Sequence, residues 1–537
     1  MKNIIKIVVA LGLIFSSTSC EDEYFDLINP PQAPFQTTAD LENGVIGAYY
    51  TLTGNGGFRA IFDCGRIIGE AYADGVQLAD QGAGYPVNGD AEDMYNRLTA
   101  GTQIALYDNS MFRSGYFTVG HANAGLGFIE GSDFDPFPLD TDVNKDENIN
   151  RMAGEFYFLR AYAYYWIARA YLPTYPNDED RIPFRLNQAG NFDEAVTSDL
   201  GSATEVYEQI VADLREAKNL LPERYEEGVH HPSYADGRAN KFAASALLAK
   251  VLFHMRRYDE ALVELNFVID QNGGDYDLSE EPIEAFNKTG PVRGKEVIWY
   301  YTLWGGDGLG GSSNWKHPGR LSWYNASNRD NTDPSPTGGN PENNGGRFLP
   351  ASDSFLEAVG WQDANGDETA EALQDLRYIQ LFKRFTPKES GIGVEEPRAN
   401  FAPNRTYVWG DKYYRSGVRR STNVVILRLA DMYLLRAVIR ATYSNVDEAA
   451  ALADLNVVRE RAGIAPLAGL TGADLVNAIH NERWIEMSFE GDRLFYLQGN
   501  EVDIPDGDRG AGSVPWDSNF YSEVPDFETD FNQAYFN

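Results

Sequence analysis

The sequence predicts an all-α fold, a tetratricopeptide-like helical scaffold interrupted by one large irregular, loop-rich region. Three observations carry that expectation. Apolar residues recur at helical spacing in long stretches towards both ends of the 537-residue chain. Two of those stretches match: Ala249 and Ala437 stand 188 positions apart, as do Ala261 and Ala449. Between about 273 and 420 the rhythm breaks and Gly, Pro and Asn accumulate, over a span too long for a passive connection.

The first element is a targeting segment. Lys2 and Lys6 form a short basic region, and Ile4 to Phe15 is a mostly apolar run, too short to span a bilayer comfortably, that ends in the small residues Ser16 to Ser19. Cys20 follows at once. A cysteine behind small residues at the end of such a run predicts a lipoprotein signal over residues 1–19, with Cys20 as the acylated N-terminus. Glu21 to Asp26 begin an acidic tether reaching about residue 35. No later stretch is apolar for long enough to cross a membrane.

Helices follow. Met152 to Leu172 put Phe156, Leu159, Ala163, Trp166, Ile167 and Ala170 on one face. Val206, Ile210, Leu214, Ala217 and Leu221 repeat the rhythm until Pro222 stops it. Residues 240–274 read as a helix pair with a turn near Arg257, closed by Gly273 and Gly274. Residues 423–463 repeat that design and end at Gly463, and one more amphipathic helix covers about Ala473 to Leu497. In a tetratricopeptide pair the two helices touch at small residues, the role expected of Ala249 with Ala261 and of Ala437 with Ala449. Such a scaffold names no reaction.

Chemistry is sought in the irregular part. Residues 299–324 hold four of the nine tryptophans, Trp299, Trp304, Trp315 and Trp323, with Tyr300, Tyr301 and Tyr324. The run "EVIWYYTLW" reads as a buried strand, with Trp299 and Tyr301 inward. Trp304, Trp315, Trp323 and Tyr324 flank glycine-rich polar loops and are the ligand candidates. Flat rings match the C–H face of a sugar at low entropy cost, and Asp307, Asn314 and Arg320 can hold its hydroxyls.

Other chemistries find less support. With 45 basic against 80 acidic residues the net charge is −35, which repels phosphate backbones, so nucleic acid is not an expected partner. Two cysteines make no disulfide framework, and Cys64 reads as a buried small hydrophobe. The six histidines form no metal pattern. Glu482, Glu486 and Glu490 share a helical face, but Arg483 and Arg493 beside them favour a structural role over glycoside hydrolysis. "DTDVNKDE" (Asp140 to Glu147) and "DANGDE" (Asp363 to Glu368) echo calcium-loop spacing without its glycine and final glutamate. No cofactor or metal is expected, with structural calcium left open.

The residues carry a resemblance to the SusD/RagB-type outer-membrane nutrient-binding lipoproteins of Bacteroidetes. It runs through "FQTTADLENGVIGAYYTL", "GEFYFLRAYAYYWIARAYL", "GRANKFAASALLAKVLFHMRRYDEA", "ILRLADMYLLRAVIRATYSNVDEAAALADLNVVRERAG" and "ERWIEMSFEGDRLFYLQ". In the last of these Phe489, Glu490, Gly491 and Arg493 match the closing signature of the family. The departures are Ser17, where the lipobox usually has Leu, and Val524 and Asp526 near the end. The resemblance implies a single SusD-like domain over 36–537, with helical repeats at about 36–272 and 421–498 and ligand loops at about 273–420. It also implies a glycan ligand, a SusC-like TonB-dependent transporter as partner, no enzymatic step, and a lipid-anchored, cell-surface place on the outer membrane. Ligand loops of that family also come from the N-terminal part, which adds Tyr85, Asn88 and Asp90. The alternatives are a glycoside hydrolase or a protein-assembly scaffold on the same helices.

Overall fold

The computed structural model describes residues 35–52, 61–78, 89–98, 111–131, 135–191, 194, 196, 199–235, 237–286, 288, 292–301, 349–385, 406–410, 412, 423–443, 445–518 and 520–536. Helices dominate, as expected, and among the described residues no helix is long and apolar enough to cross a membrane.

The N-terminal layer packs helices Thr38–Thr51, Arg113–Glu130 and Ala203–Leu220 around the 27-residue helix Lys145–Tyr171. Capping boxes start two of them, Thr37 with Asp40 and Ser202 with Glu205, each satisfying end N–H groups. The six residues predicted to face inward from the long helix are buried, but so are Phe158, Tyr162, Tyr164 and Tyr165 on its other sides. A helix apolar nearly all round belongs in the middle of a layer, and neighbours cover it on more than one side.

Two helix pairs follow, Lys241–His254 with Tyr258–Asp270 and Leu429–Thr442 with Glu448–Arg461. Left-handed Gly273 and Gly274 lie just beyond the first pair and left-handed Gly463 closes the second, as their positions in the sequence suggest. Ala249, Ala437 and Ala261 are fully buried, but Ala449 is exposed, and Ala451 takes the buried place instead. The second connection, Tyr443–Asp447, is two residues longer than Met255–Arg257, so the offset of 188 holds only for the first helix of each pair. Arg436 joins the pairs: it grips Asp454 in its own pair at 3.0 and 2.8 Å and Asp270 in the other at 2.6 Å.

Two further expectations need correction. The start of the second repeat is a strand, Val424–Arg428, which pairs antiparallel with Val297–Tyr301. Its Val-Val-Ile-Leu run suits a buried strand better than a helix start. The last predicted helix is two, Gly472–Met487 and Arg493–Gly499, because the chain turns left-handed at Phe489 (φ 62°) and Gly491 (φ 77°).

Within the predicted irregular region the described residues add short helices, Asp353–Ala358 and Leu376–Leu381, and an antiparallel strand pair, Phe382–Phe385 with Tyr407–Gly410. A joint forms beside them. Val76 bridges Ala351, Gln77 N–H donates to Pro350 O at 2.9 Å, and Ser352 N–H donates to Gly75 O at 3.0 Å. Ala351 N–H donates in turn to Val408 O at 2.9 Å.

Candidate functional site

The strand Val297–Tyr301 leads into the aromatic-rich segment. Trp299 is 2% exposed, meets Phe158 and Tyr162 edge-on at 4.7 and 4.9 Å, and donates its indole N–H to Gly237 O at 3.1 Å. Tyr300 is buried as well, whereas Tyr301, expected inward, is only half-buried. Trp304, Asp307, Asn314, Trp315, Arg320, Trp323 and Tyr324 lie outside the described residues, as do Tyr85, Asn88 and Cys20. Asp90 is in the helix Gly89–Tyr95, with its side chain likewise outside them.

The described residues do frame these candidates. Segments 79–88, 302–348 and 386–405 each have one described end at the joint of Val76, Ala351 and Val408. The described chain ends at 78 and 349 therefore lie beside one another, although more than 200 residues separate them in the chain.

The closing signature braces that joint. Phe489 packs on Phe382 with ring centres 5.5 Å apart, and its ring lies over Gly410, where a Cβ would stand 2.7 Å from it. Glu490 accepts from Lys412 Nζ at 2.5 Å and from Arg428 at 3.0 and 2.7 Å. Burial alone would raise that carboxyl, but Arg428 and Lys412 hold it below the usual carboxylate range. Gly491 N–H donates to Glu70 at 2.8 Å, and its carbonyl sits where a Cβ on Gly69 would come within 2.0 Å. Asp492 takes both prongs of Arg483 at 2.8 and 2.7 Å. Arg493 grips Asp74 at 2.8 and 2.9 Å, and the Asp74 carbonyl accepts from Ser352 Oγ at 2.7 Å, one residue from the bridge.

The three glutamates expected on one helical face are paired, but only Glu482 and Glu486 are on the helix Gly472–Met487, and Glu490 lies in the turn beyond it. Glu486 meets Arg428 at 2.5 Å, Arg377 at 3.2 Å and also Arg461. Glu482 meets Arg377 at 2.6 Å and Arg459 at 2.7 Å. Burial opposes ionisation of Glu486, but Arg461 and Arg428 hold it well below the usual range. Hydrolysis of a glycoside needs one carboxyl kept protonated beside a cleft, and this cluster supplies none. Glu70 is the opposite case: burial pushes it up to about 7. Its described bond is to the Gly491 backbone, which makes it part of the brace.

In the two acidic stretches Asp140, Asp142 and Asp363 accept hydrogen bonds from the protein itself. Asp140 accepts from Thr38 N and Oγ1 at 2.7 and 2.6 Å, and Asp142 accepts from Asn144 N. Asp363 accepts from Asn365 N and Asp367 N, both at 2.9 Å. Among the described residues no group of three or more His, Cys, Asp or Glu is arranged to hold a metal ion.

Sequence reasoning missed Glu70, Asp74 and Arg428. A charged residue inside an apolar run, as in "GEAYADG", is the one local signal that points to the first two.

Comparison with known proteins agrees with this frame. Residues 78–253 match a SusD-like family described as starch-binding associating with outer membrane, and residues 387–498 match the SusD family. The chain is of the SusD/RagB type. SusD-like protein P2 of Formosa agariphila is 26% identical over 511 residues, covering 89% of this chain and 87% of the relative. A SusD superfamily protein from Bacteroides thetaiotaomicron superposes with a TM-score of 0.70 at 20% identity, covering 93% of this chain and 98% of its own. A laminarin-binding SusD-like protein superposes at 0.66 and 20% identity, covering 93% and 98%. The second SusD/RagB match ends inside the Arg493–Gly499 helix, so it includes the Phe489–Arg493 brace.

Proposed function

We propose that this SusD/RagB-type chain is a cell-surface lipoprotein that captures an extracellular oligo- or polysaccharide and hands it to a SusC-like TonB-dependent outer-membrane transporter. The lipid on Cys20 holds it to the membrane. Trp304, Trp315, Trp323 and Tyr324 stack on sugar rings, while Asp307, Asn314, Arg320, Tyr85, Asn88 and Asp90 bind hydroxyls. No covalent step is involved, in keeping with the pairing of Glu482, Glu486 and Glu490 to arginines.

The observation that carries this reading is the joint: Val76, Ala351 and Val408, each within three residues of the described end next to one of the three segments, meet at one place. A laminarin-binding protein of the same fold supports the ligand class. The test is affinity electrophoresis of the purified protein against a polysaccharide panel, with Trp304, Trp315 and Trp323 changed singly to alanine. At least one glycan should retard the wild type, and each substitution should weaken affinity by roughly fivefold to thirtyfold, about 1–2 kcal/mol. A panel that retards nothing contradicts the proposal. For the anchor, Cys20→Ala should release the protein from membranes into the soluble fraction.

A further inference from the structure

The helices close around a pocket. Arg169 near the end of Lys145–Tyr171, Tyr207 of Ala203–Leu220, and His254 at the end of Lys241–His254 line it. Phe495 and Gln498 of Arg493–Gly499 and Ser518 of the C-terminal segment complete the wall.

The pocket has an unusual charge balance. In this acid-rich chain Arg151, Arg160, Arg377, Arg428, Arg436, Arg483 and Arg493 are buried, and each meets at least one carboxylate. Among the described residues Arg169 meets none. One of its Nη groups donates to the Tyr165 hydroxyl, and its guanidinium carbon lies 3.7 Å from the Tyr165 ring centre and 3.9 Å from that of Phe495. The rings attract the cation, but they offer no acceptor to the Arg169 Nε–H, which is buried without a partner.

His254 is 4% exposed, stacks on Tyr207, and also has a buried Nδ1 with no partner. Arg256 stands near it. Its Nε pairs with Glu501 at 3.2 Å and one Nη with Tyr175 O, while the other Nη is buried without a partner. Burial, Arg169 and Arg256 together keep the imidazole neutral, its pKa held well below the ordinary value, and no carboxylate acts on it in the other direction. Two buried nitrogens of the pocket wall, the Arg169 Nε–H and the His254 Nδ1, thus lack partners among the described residues, and an Arg256 Nη two residues beyond His254 lacks one as well. A buried donor without an acceptor costs free energy, and a charge-assisted bond to an anion would recover it.

We propose that this pocket is a site for a small oxyanion, a carboxylate or sulfate group held by the Arg169 Nε–H and the His254 Nδ1–H, with Gln498 and Ser518 at its wall. The proposal does not rest on the glycan reading, and either can fail without the other. The anion is either free in solution or carried on an acidic sugar, since both present the same oxygens to the site.

The test titrates the purified protein with sodium sulfate at ionic strength held constant with sodium chloride, reading the thermal midpoint, and soaks crystals in selenate. A saturable rise over chloride and an anomalous selenium peak between Arg169 and His254 are expected. Arg169→Gln and His254→Gln should each weaken sulfate binding by about tenfold or more, the loss of one charge-assisted or buried bond. Should Arg169→Gln fail to fold, His254→Gln and the selenate peak still decide the matter. Glucuronate binding tighter than sulfate, with glucose inert, assigns the anion to a sugar; sulfate binding at least as tightly assigns it to a free ion. No saturable rise, no selenium in the pocket, or full binding by His254→Gln overturns the proposal.

Discussion

Gly69 packs against the Gly491 backbone and Gly491 against that of Arg66, so closely that neither glycine tolerates a side chain without backbone movement. A Cβ on Gly69 would lie 2.0 Å from the Gly491 carbonyl oxygen. Gly69→Ala should therefore lower stability by about 2–3 kcal/mol or more, read by urea unfolding, and an unchanged midpoint would refute the packing described. Beside it, Glu70 has its carboxyl pushed by burial from 4.5 up to about 7. The folded state therefore binds a proton more tightly than the unfolded one. Its contribution to stability is fully present below about 4.5 and is lost as pH rises to about 7. Glu70→Gln should remove that loss, gaining about 3 kcal/mol on wild type between pH 4.5 and pH 8. A difference between variant and wild type that is flat with pH would contradict it. Residues of the closing signature were recognisable in the chain, yet Glu70 and Asp74 were not, because their partners lie more than 400 positions away and leave no periodic trace.

Helices were legible wherever apolar spacing runs long, as in Lys145–Tyr171 and both helix pairs. What periodicity could not supply was the length of a connection. Two extra residues in Tyr443–Asp447 bury Ala451 and expose Ala449, so Ala451→Leu should cost about 1–3 kcal/mol by overpacking while Ala449→Leu stays near neutral. Thermal midpoints of the two variants check this, and the reverse order would restore the offset of 188. The break at Phe489 and Gly491 was hidden for a similar reason. Apolar spacing continues across it from Met487 to Leu494, whereas the left-handed turn is imposed by contacts with Arg66, Gly69 and Phe382.

At the scale of the molecule, the helical layers carry a joint, and the closing signature locks that joint to the core through Asp74, Ser352, Phe382 and Gly410. The candidate ligand residues were legible as composition, a concentration of tryptophan in a glycine-rich stretch. Their common anchorage was not, since the bridge from Val76 to Ala351 joins segments 275 positions apart by a single residue pair. The central claim is that the aromatic segment anchored there binds glycan. The most direct measurement compares wild type with the Trp304→Ala, Trp315→Ala, Trp323→Ala triple variant on the most strongly retarding polysaccharide of the panel. The account predicts that the variant loses retardation while its thermal midpoint stays that of the wild type. A triple variant retarded as strongly as the wild type would contradict it.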